Sequence, residues 1–313
     1  MSNKQRLRML AAGVAVGAAL AACGAGHEVV ASPSTPSASS TPTGSIHRVA
    51  PGQDAPVDAT VAGLEKFAAA FYAVAAAKGE NVVFSPLSVA YAFAMLQEGA
   101  NGTTKAQIDK AFGFPDGVAE AFNALTDGLV TSTAPPVGPK PSGSSDPAPA
   151  KPVLTVANAL FGQSGYAFEQ AFLTTLGQQY GSTMESTDFA NPDAAVAAIN
   201  HWADVHTAGR IKEVFKSLDP QTRLVLANAV YLKASWPQRF MDNGTAAFTV
   251  ADGRTVQVPM MRRHEQFGYA SGSTWQAVTL PYFGSNLAMR IVLPTGSATP
   301  ADLMTPAVLN AAA

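Results

Sequence analysis

"RLVLANAVYLKASW", residues 223–236, is the stretch on which the fold turns. Leu224, Leu226, Val230, Leu232 and Trp236 alternate, and that period of two predicts a β-strand with one buried face. Asn228 falls in the middle of the same face. A buried amide left without partners costs about 1–3 kcal/mol. The sequence therefore calls for companions to Asn228, whether polar side chains, a nearby carbonyl or water.

Upstream of the strand the texture is mainly helical. "VAGLEKFAAAFYAVAAA" places Leu64, Phe67, Phe71 and Val74 at helical spacing, with Gly79 available to end the helix. "NVVFSPLSVAYAFAMLQEGANG" opens on a β-like run, Val82 to Phe84, and continues as a helix from Pro86 to about Glu98. Ser85 can cap that helix and Pro86 suits its first turn. Further helices are expected in "TTKAQIDKAF", capped by Thr103 or Thr104, and in "VAEAFNALTDGLV". Residues 131–152, rich in Pro, Ser and Gly, read as a low-complexity surface insertion rather than a domain boundary. Then "VLTVANALFGQ" reads as a strand, "AFEQAFLTTLGQQY" as a helix and "STMESTDF" as a short strand. "DAAVAAINHWADVHT" is predicted as a helix started by Asn191 and Pro192, with Val196, Ile199, Trp202 and the pair Val205–His206 on its inner side.

Downstream the pattern becomes β. Strands are expected in "AAFTVADG", "RTVQVPMMRR", "QFGYA", "TWQAVTLPY" and "NLAMRIVLP", separated by "DG", "SG" and "FGSN" turns. The last residues, "TGSATPADLMTPAVLNAAA", suit one or two helices. With 313 residues, 47% of them hydrophobic, the chain is long enough to bury a core.

The first 22 residues are of another kind. "MSNKQRLR" is basic and "MLAAGVAVGAALAA" is apolar but too short to cross a hydrocarbon layer of about 30 Å, as expected of a signal peptide. The run ends in "LAAC", residues 20–23, which resembles a bacterial lipobox. That resemblance implies cleavage before Cys23 and a lipid on its thiol, with the protein held on the extracellular side of the cell membrane. The alternative is an ordinary secretory signal or weak anchor followed by a stray cysteine. Cys23 is the single cysteine, so no intramolecular disulfide can form. Residues 23–56 are dominated by Ser, Pro, Thr and Gly and read as a disordered tether, leaving 57–313 as the folded domain.

Chemistry-bearing constellations are scarce. Formal charge is −2, and the three bases of the signal segment removed, 17 basic groups stand against 22 acidic ones. No basic stripe with interleaved aromatics supports a nucleic-acid partner. A serine hydrolase signature G-x-S-x-G is missing, and Ser85, followed by proline, suits capping better than nucleophilic attack. His201 and His206 lie five apart, about 140° round a helix, and do not share a face. "HEQFG" at 264–268 lacks the second His of a zinc motif, and "GANGTT" lacks the P-loop lysine. No catalytic residue, metal or cofactor is expected. "NGT" at 101–103 and 243–245 reads as turn chemistry.

Four long pieces, in order, resemble one family. They are "NVVFSPLSVAYAFAMLQEGANGTTKAQI" (81–108), "AINHWADVHTAGRIKEVF" (198–215), "TRLVLANAVYLKASW" (222–236), and "VQVPMM" with "LPYFGSNLAMRIVLP" (256–261 and 280–294). The family is the serpins. The resemblance implies an α+β fold, helices packed around mixed and antiparallel sheets. It also implies inhibition of a serine or cysteine protease by insertion of a cleaved reactive loop into the central sheet. On the same footing Asn228 matches the asparagine of the shutter, Ser85 and Ser88 match the serines beneath it, and Trp236 matches the tryptophan of the breach. A histidine on a neighbouring strand completes that polar cluster in the family. Strands that part during insertion need reversible hydrogen bonds between them.

A family chain continues with further strands, the hinge and the reactive loop, and nothing after Pro294 resembles these. The expectation is a C-terminally truncated serpin without a reactive loop, in which the strand of 222–233 becomes a sheet edge. Such a polypeptide alone is expected to be poorly stable and not to inhibit proteases. The competing function is a non-inhibitory binding lipoprotein that adds a partner's strand to that edge.

Overall fold

The computed structural model of the chain describes residues 46–76, 81–132, 152–250 and 253–312. They form two compact units, one drawn from Met1–Gly128 and Thr155–Tyr231, the other from Leu129–Leu154 and Leu232–Ala313. The signal segment, Cys23 and Gly79 lie outside the described residues, as does all of the 131–152 insertion except its first two residues and Pro152.

The first unit begins with four helices: α1 (Val57–Ala75), α2 (Pro86–Gln97), α3 (Gly102–Phe112) and α4 (Val118–Ser132). Ser85 caps α2 as its position suggests, its hydroxyl accepting the N–H of Ser88, with Pro86 in the first turn. Neither Thr103 nor Thr104 caps α3; the helix starts at Gly102, after Asn101. Residues 82–84 stay irregular instead of forming a strand. α1 and α3 meet backbone to backbone. A Cβ on Gly63 would lie 2.6 Å from the carbonyl oxygens of Phe112 and Gly113, and Gly113 ends α3 in the left-handed region at φ 66°.

Next come β1 (Val153–Gln163), α5 (Gln170–Tyr180), β2 (Thr183–Thr187), α6 (Pro192–His206) and β3 (Leu224–Lys233). The sheet order is β2-β1-β3, with β1 and β2 parallel from Ala159↔Thr183 to Gln163↔Thr187. Among the described residues β3 stands at the end of its sheet. Alternation sends Leu160 and Leu226 into one core with Tyr91, Met95, Phe112 and Phe122 of the helices. Ala159, Phe161 and Val225 enter a second core with Ala195 and Ile199 of α6. β3 is thus covered on both faces near its start, where alternation alone suggests one buried face. The reason is that small Ala227 and Ala229 between the large residues let the α6 layer close on the second side. The inner side of α6 is Ala195, Ile199 and Ala203, with Trp202 half-buried against the same core as expected; Val205 and His206 are exposed at the last turn, where Thr207 ends the helix.

The tether reading fails for residues 46–56, which are ordered and lead into α1. Ile46, Arg48 and Val49 supply what the Ser/Pro-rich composition around them lacks: apolar surface and a donor fork.

The second unit is mostly β. β4 (Met241–Thr249) pairs with β5 (Thr255–Arg262), with a break in register between Asp242 and Thr245, at the second "NGT". A three-stranded antiparallel sheet follows in the order β6-β7-β8, from Gly268–Ser271, Trp275–Pro281 and Ala288–Pro294. Short helices α7 (Pro300–Leu303) and α8 (Pro306–Ala311) cover one face, around Trp275, Ala277, Val292 and Leu303. No helix among the described residues is long and apolar enough to cross a membrane.

Candidate functional site

Asn228 meets partners from two other elements. Its Oδ1 accepts the hydroxyl of Ser88 on α2 in a short hydrogen bond. Its Nδ2 donates to Asn158 Oδ1 at 2.8 Å and to the Ala157 carbonyl at 3.4 Å, both on β1. Asn158, buried to 5% exposure, passes its own Nδ2 to the Tyr180 carbonyl at the end of α5, 2.8 Å away. Ser85, Ser88, Asn228 and Asn158 therefore form one continuous polar line under the sheet. Ser85 joins it only through the Ser88 backbone, as a helix cap.

Every amide proton of Asn228 is used, and one Oδ1 lone pair remains beyond the bond from Ser88. Asn228 is half-buried rather than fully buried, and its side-chain amide finds its partners without any residue from a further strand. Asn158 was missed by the sequence reading, although the signal was there. It is an amide in the middle of the apolar run "VLTVANALF", the same anomaly that marks Asn228.

Beside the line lies a cavity of about 40 Å³, walled by Ser88, Asn228, Ile199, Trp202, Phe215 and Val225. It is large enough for a water or two and too small for an organic ligand. Behind it, Tyr180 donates its hydroxyl to Glu98 Oε1 at 3.3 Å. Burial pushes the Glu98 carboxyl above its usual range, against the opposing pull of the Tyr180 hydrogen bond. Tyr180 is itself pushed well up, by burial first and the Glu98 charge second.

Trp236 belongs to the second unit. It stacks on Tyr282 with centroids 4.6 Å apart and planes 17° apart, and meets Phe240 edge-on at 5.8 Å. The Phe283 N–H donates to the Ser235 carbonyl at 2.8 Å and holds the two stretches together. Arg263 lies over the rings of Phe240 and Phe267, paired with Glu265. The structure thus brings Ser85, Ser88 and Asn228 together within the first unit, and within the second unit it sets Trp236 in an aromatic cluster.

A scan against family models matches residues 62–309 to "Serpin (serine protease inhibitor)". Among curated proteins, an uncharacterized serpin-like protein of Thermococcus kodakarensis is 34% identical over 258 residues, 82% of this chain and 57% of the relative. Plasminogen activator inhibitor 1 of Sus scrofa is 34% identical over 244 residues, 74% of this chain and 57% of the relative. The chain spans less than two thirds of the length of these relatives. Among solved structures, a cleaved Serpin 42Da superposes with a TM-score of 0.67 at 30% identity, covering 79% of this chain and 65% of that one.

Proposed function

The chain belongs to the serpin family, and from that premise we propose that it serves inhibition of a serine-type protease by strand insertion, with β3 as the strand beside which the inserting segment pairs. The observation that carries this reading is Asn228. A polar line runs from α2 through β3 and β1 to the end of α5, at the strand that ends its sheet among the described residues. Such a line fixes register: a slip of one residue would turn Asn228 to the α6 side and leave Ser88 and Asn158 unpaired. The outer row of β3 then offers backbone N–H and C=O groups to a strand that arrives in that register, and the remaining Oδ1 lone pair of Asn228 accepts a donor from it. The segment that inserts is proposed to be the family's reactive loop. Incubation with trypsin-, chymotrypsin-, elastase- and subtilisin-like proteases, read on denaturing gels, tests this. A complex that survives SDS supports inhibition by this polypeptide, and its absence across the panel removes it.

A second reading rests on the same edge. A non-inhibitory protein would use β3 to hold an extended segment of a partner by strand addition. Binding of extended peptides without any covalent protease complex would favour it.

Attachment to a membrane through Cys23 is proposed from the lipobox-like "LAAC". Mass spectrometry of the mature N-terminus checks it. A diacylglyceryl group on Cys23, with release of Cys23→Ser into the medium, is the expected result.

A further inference from the structure

The end of α5 is where two otherwise unrelated parts of the first unit meet. A helix leaves its last four carbonyls without intrahelical donors. In α5 the Gly177 carbonyl is met by the N–H of Gly181. The Gln178 carbonyl is met from outside by the N–H of Val49, at 3.0 Å. The Tyr180 carbonyl is met by Asn158, the residue that holds Asn228. The segment before α1 and the polar line under β3 therefore complete the same helix terminus.

That segment is firmly seated. Ile46 sits over Gly177, where a Cβ would lie 2.5 Å from the Ile46 Cβ, so only glycine admits it. Arg48 straddles Asn123 of α4: Nε donates to Oδ1 at 2.6 Å and Nη2 to the backbone oxygen at 2.8 Å. Asn123, buried to 1% exposure, uses its Nδ2 on the Val49 carbonyl at 3.1 Å and on Gln179 Oε1 at 3.0 Å. A planar fork reaches the two acceptors from two separate nitrogens held in fixed directions, whereas a lysine offers one nitrogen on a flexible stem.

We propose that residues 46–49 are a docking strap that couples the N-terminal segment to the Asn158–Asn228 latch, with Arg48 as its positioning residue. Docked, the strap caps α5 and keeps the Tyr180 carbonyl in place for Asn158. Undocked, the last turn of α5 frays, and Asn158 and Asn228 loosen with it. By linkage the effect runs both ways: whatever pulls the strap away favours an open latch, and opening the latch releases the strap. The two-state element is the last turn of α5. The regulatory meaning rests on the strand-insertion reading above, while the coupling itself does not.

Amide hydrogen exchange on the full chain tests it, with Arg48→Ala, Arg48→Lys and Gly177→Ala. Gly177→Ala expels Ile46 while giving α5 a better helix former. Both alanine variants are expected to speed exchange about tenfold in three places: 46–50, the last turn of α5, and the amides bonded across β1 and β3. Arg48→Lys is expected to fall between wild type and Arg48→Ala. The reciprocal arm uses Asn158→Ala, in which exchange at 46–50 is expected to quicken. Faster exchange confined to 46–50 in both alanine variants, or unchanged exchange at 46–50 in Asn158→Ala, overturns the coupling. Neither readout involves a protease complex, so failure of the inhibitory reading would leave this result standing, and the converse holds.

Discussion

β3 and β8 each end a three-stranded sheet among the described residues, and they are built on opposite rules. β3 is packed by helices on both sides near its start and carries a hydrogen-bonded amide at its centre. β8 shows Met289, Ile291 and Leu293 to solvent at 41%, 46% and 52%, with Tyr269 on the same face of the sheet at 67%. An edge marked by Asn228 accepts a neighbour in one register. β8 carries one exposed charge, Arg290, but no such register marker, and its apolar side chains leave it more open to unspecific association. The difference separates a specific edge from an unspecific one within the same chain.

The largest effect is expected at the marked edge. Asn228→Leu keeps the branched shape but leaves the Ser88 hydroxyl and Asn158 Oδ1 without their partner, and should cost about 2–3 kcal/mol in urea unfolding. A loss below about 0.5 kcal/mol would mean that β3 is no more specified than β8. A smaller quantity sharpens the point. Asn158→Ala and Asn228→Ala should be non-additive by about 1 kcal/mol, because each removes the bond to the other. Additive losses would show two separate sites.

Glu98 gives a pH test behind the same line. Its carboxyl is raised in the folded state, so the protonated form is favoured there. Its contribution to stability is present in full below the unfolded pKa and is lost as pH rises through the folded one. Glu98→Gln keeps an acceptor for the Tyr180 hydroxyl without the charge. It should raise the unfolding midpoint at neutral pH, with the gain vanishing in acid. Partial exposure and solvent screening hold that gain below about 1 kcal/mol. A gain that is constant across pH would exclude the carboxylate as its source. The smallest change in stability belongs to β8. Ile291→Thr should alter folding by no more than about 0.5 kcal/mol yet reduce association measured by sedimentation velocity. Unaltered association would remove β8 as a sticky edge.

Much of this arrangement was legible in the residues. Ser85–Pro86 and Asn191–Pro192 announce helix starts through capping chemistry that depends on neighbours only a few positions away. Asn228 announces a polar site within the packing because it interrupts an alternating strand, and the structure leaves it half-buried. What resisted reading depends on distant chain. The second buried face of β3 exists because α6 lies over Val225, and alternation records only that a side chain points away. The strap at 46–49 was hidden by composition: Ser, Pro and Gly around it suggest a tether, whereas three residues and the glycine niche at Gly177 hold it down. Asn158 is the exception. The same rule that singled out Asn228 applies to it.

The central claim is that β3, which ends its sheet among the described residues, presents an open outer row beside an amide that is already held from within. Hydrogen exchange of the alternate outward amides of β3, with and without an extended peptide of small residues, measures this directly. The account predicts fast exchange in the protein alone, slowed when the peptide binds, with the slowing lost in Asn228→Leu. Protection of those amides in the protein alone, with no added strand, would contradict it.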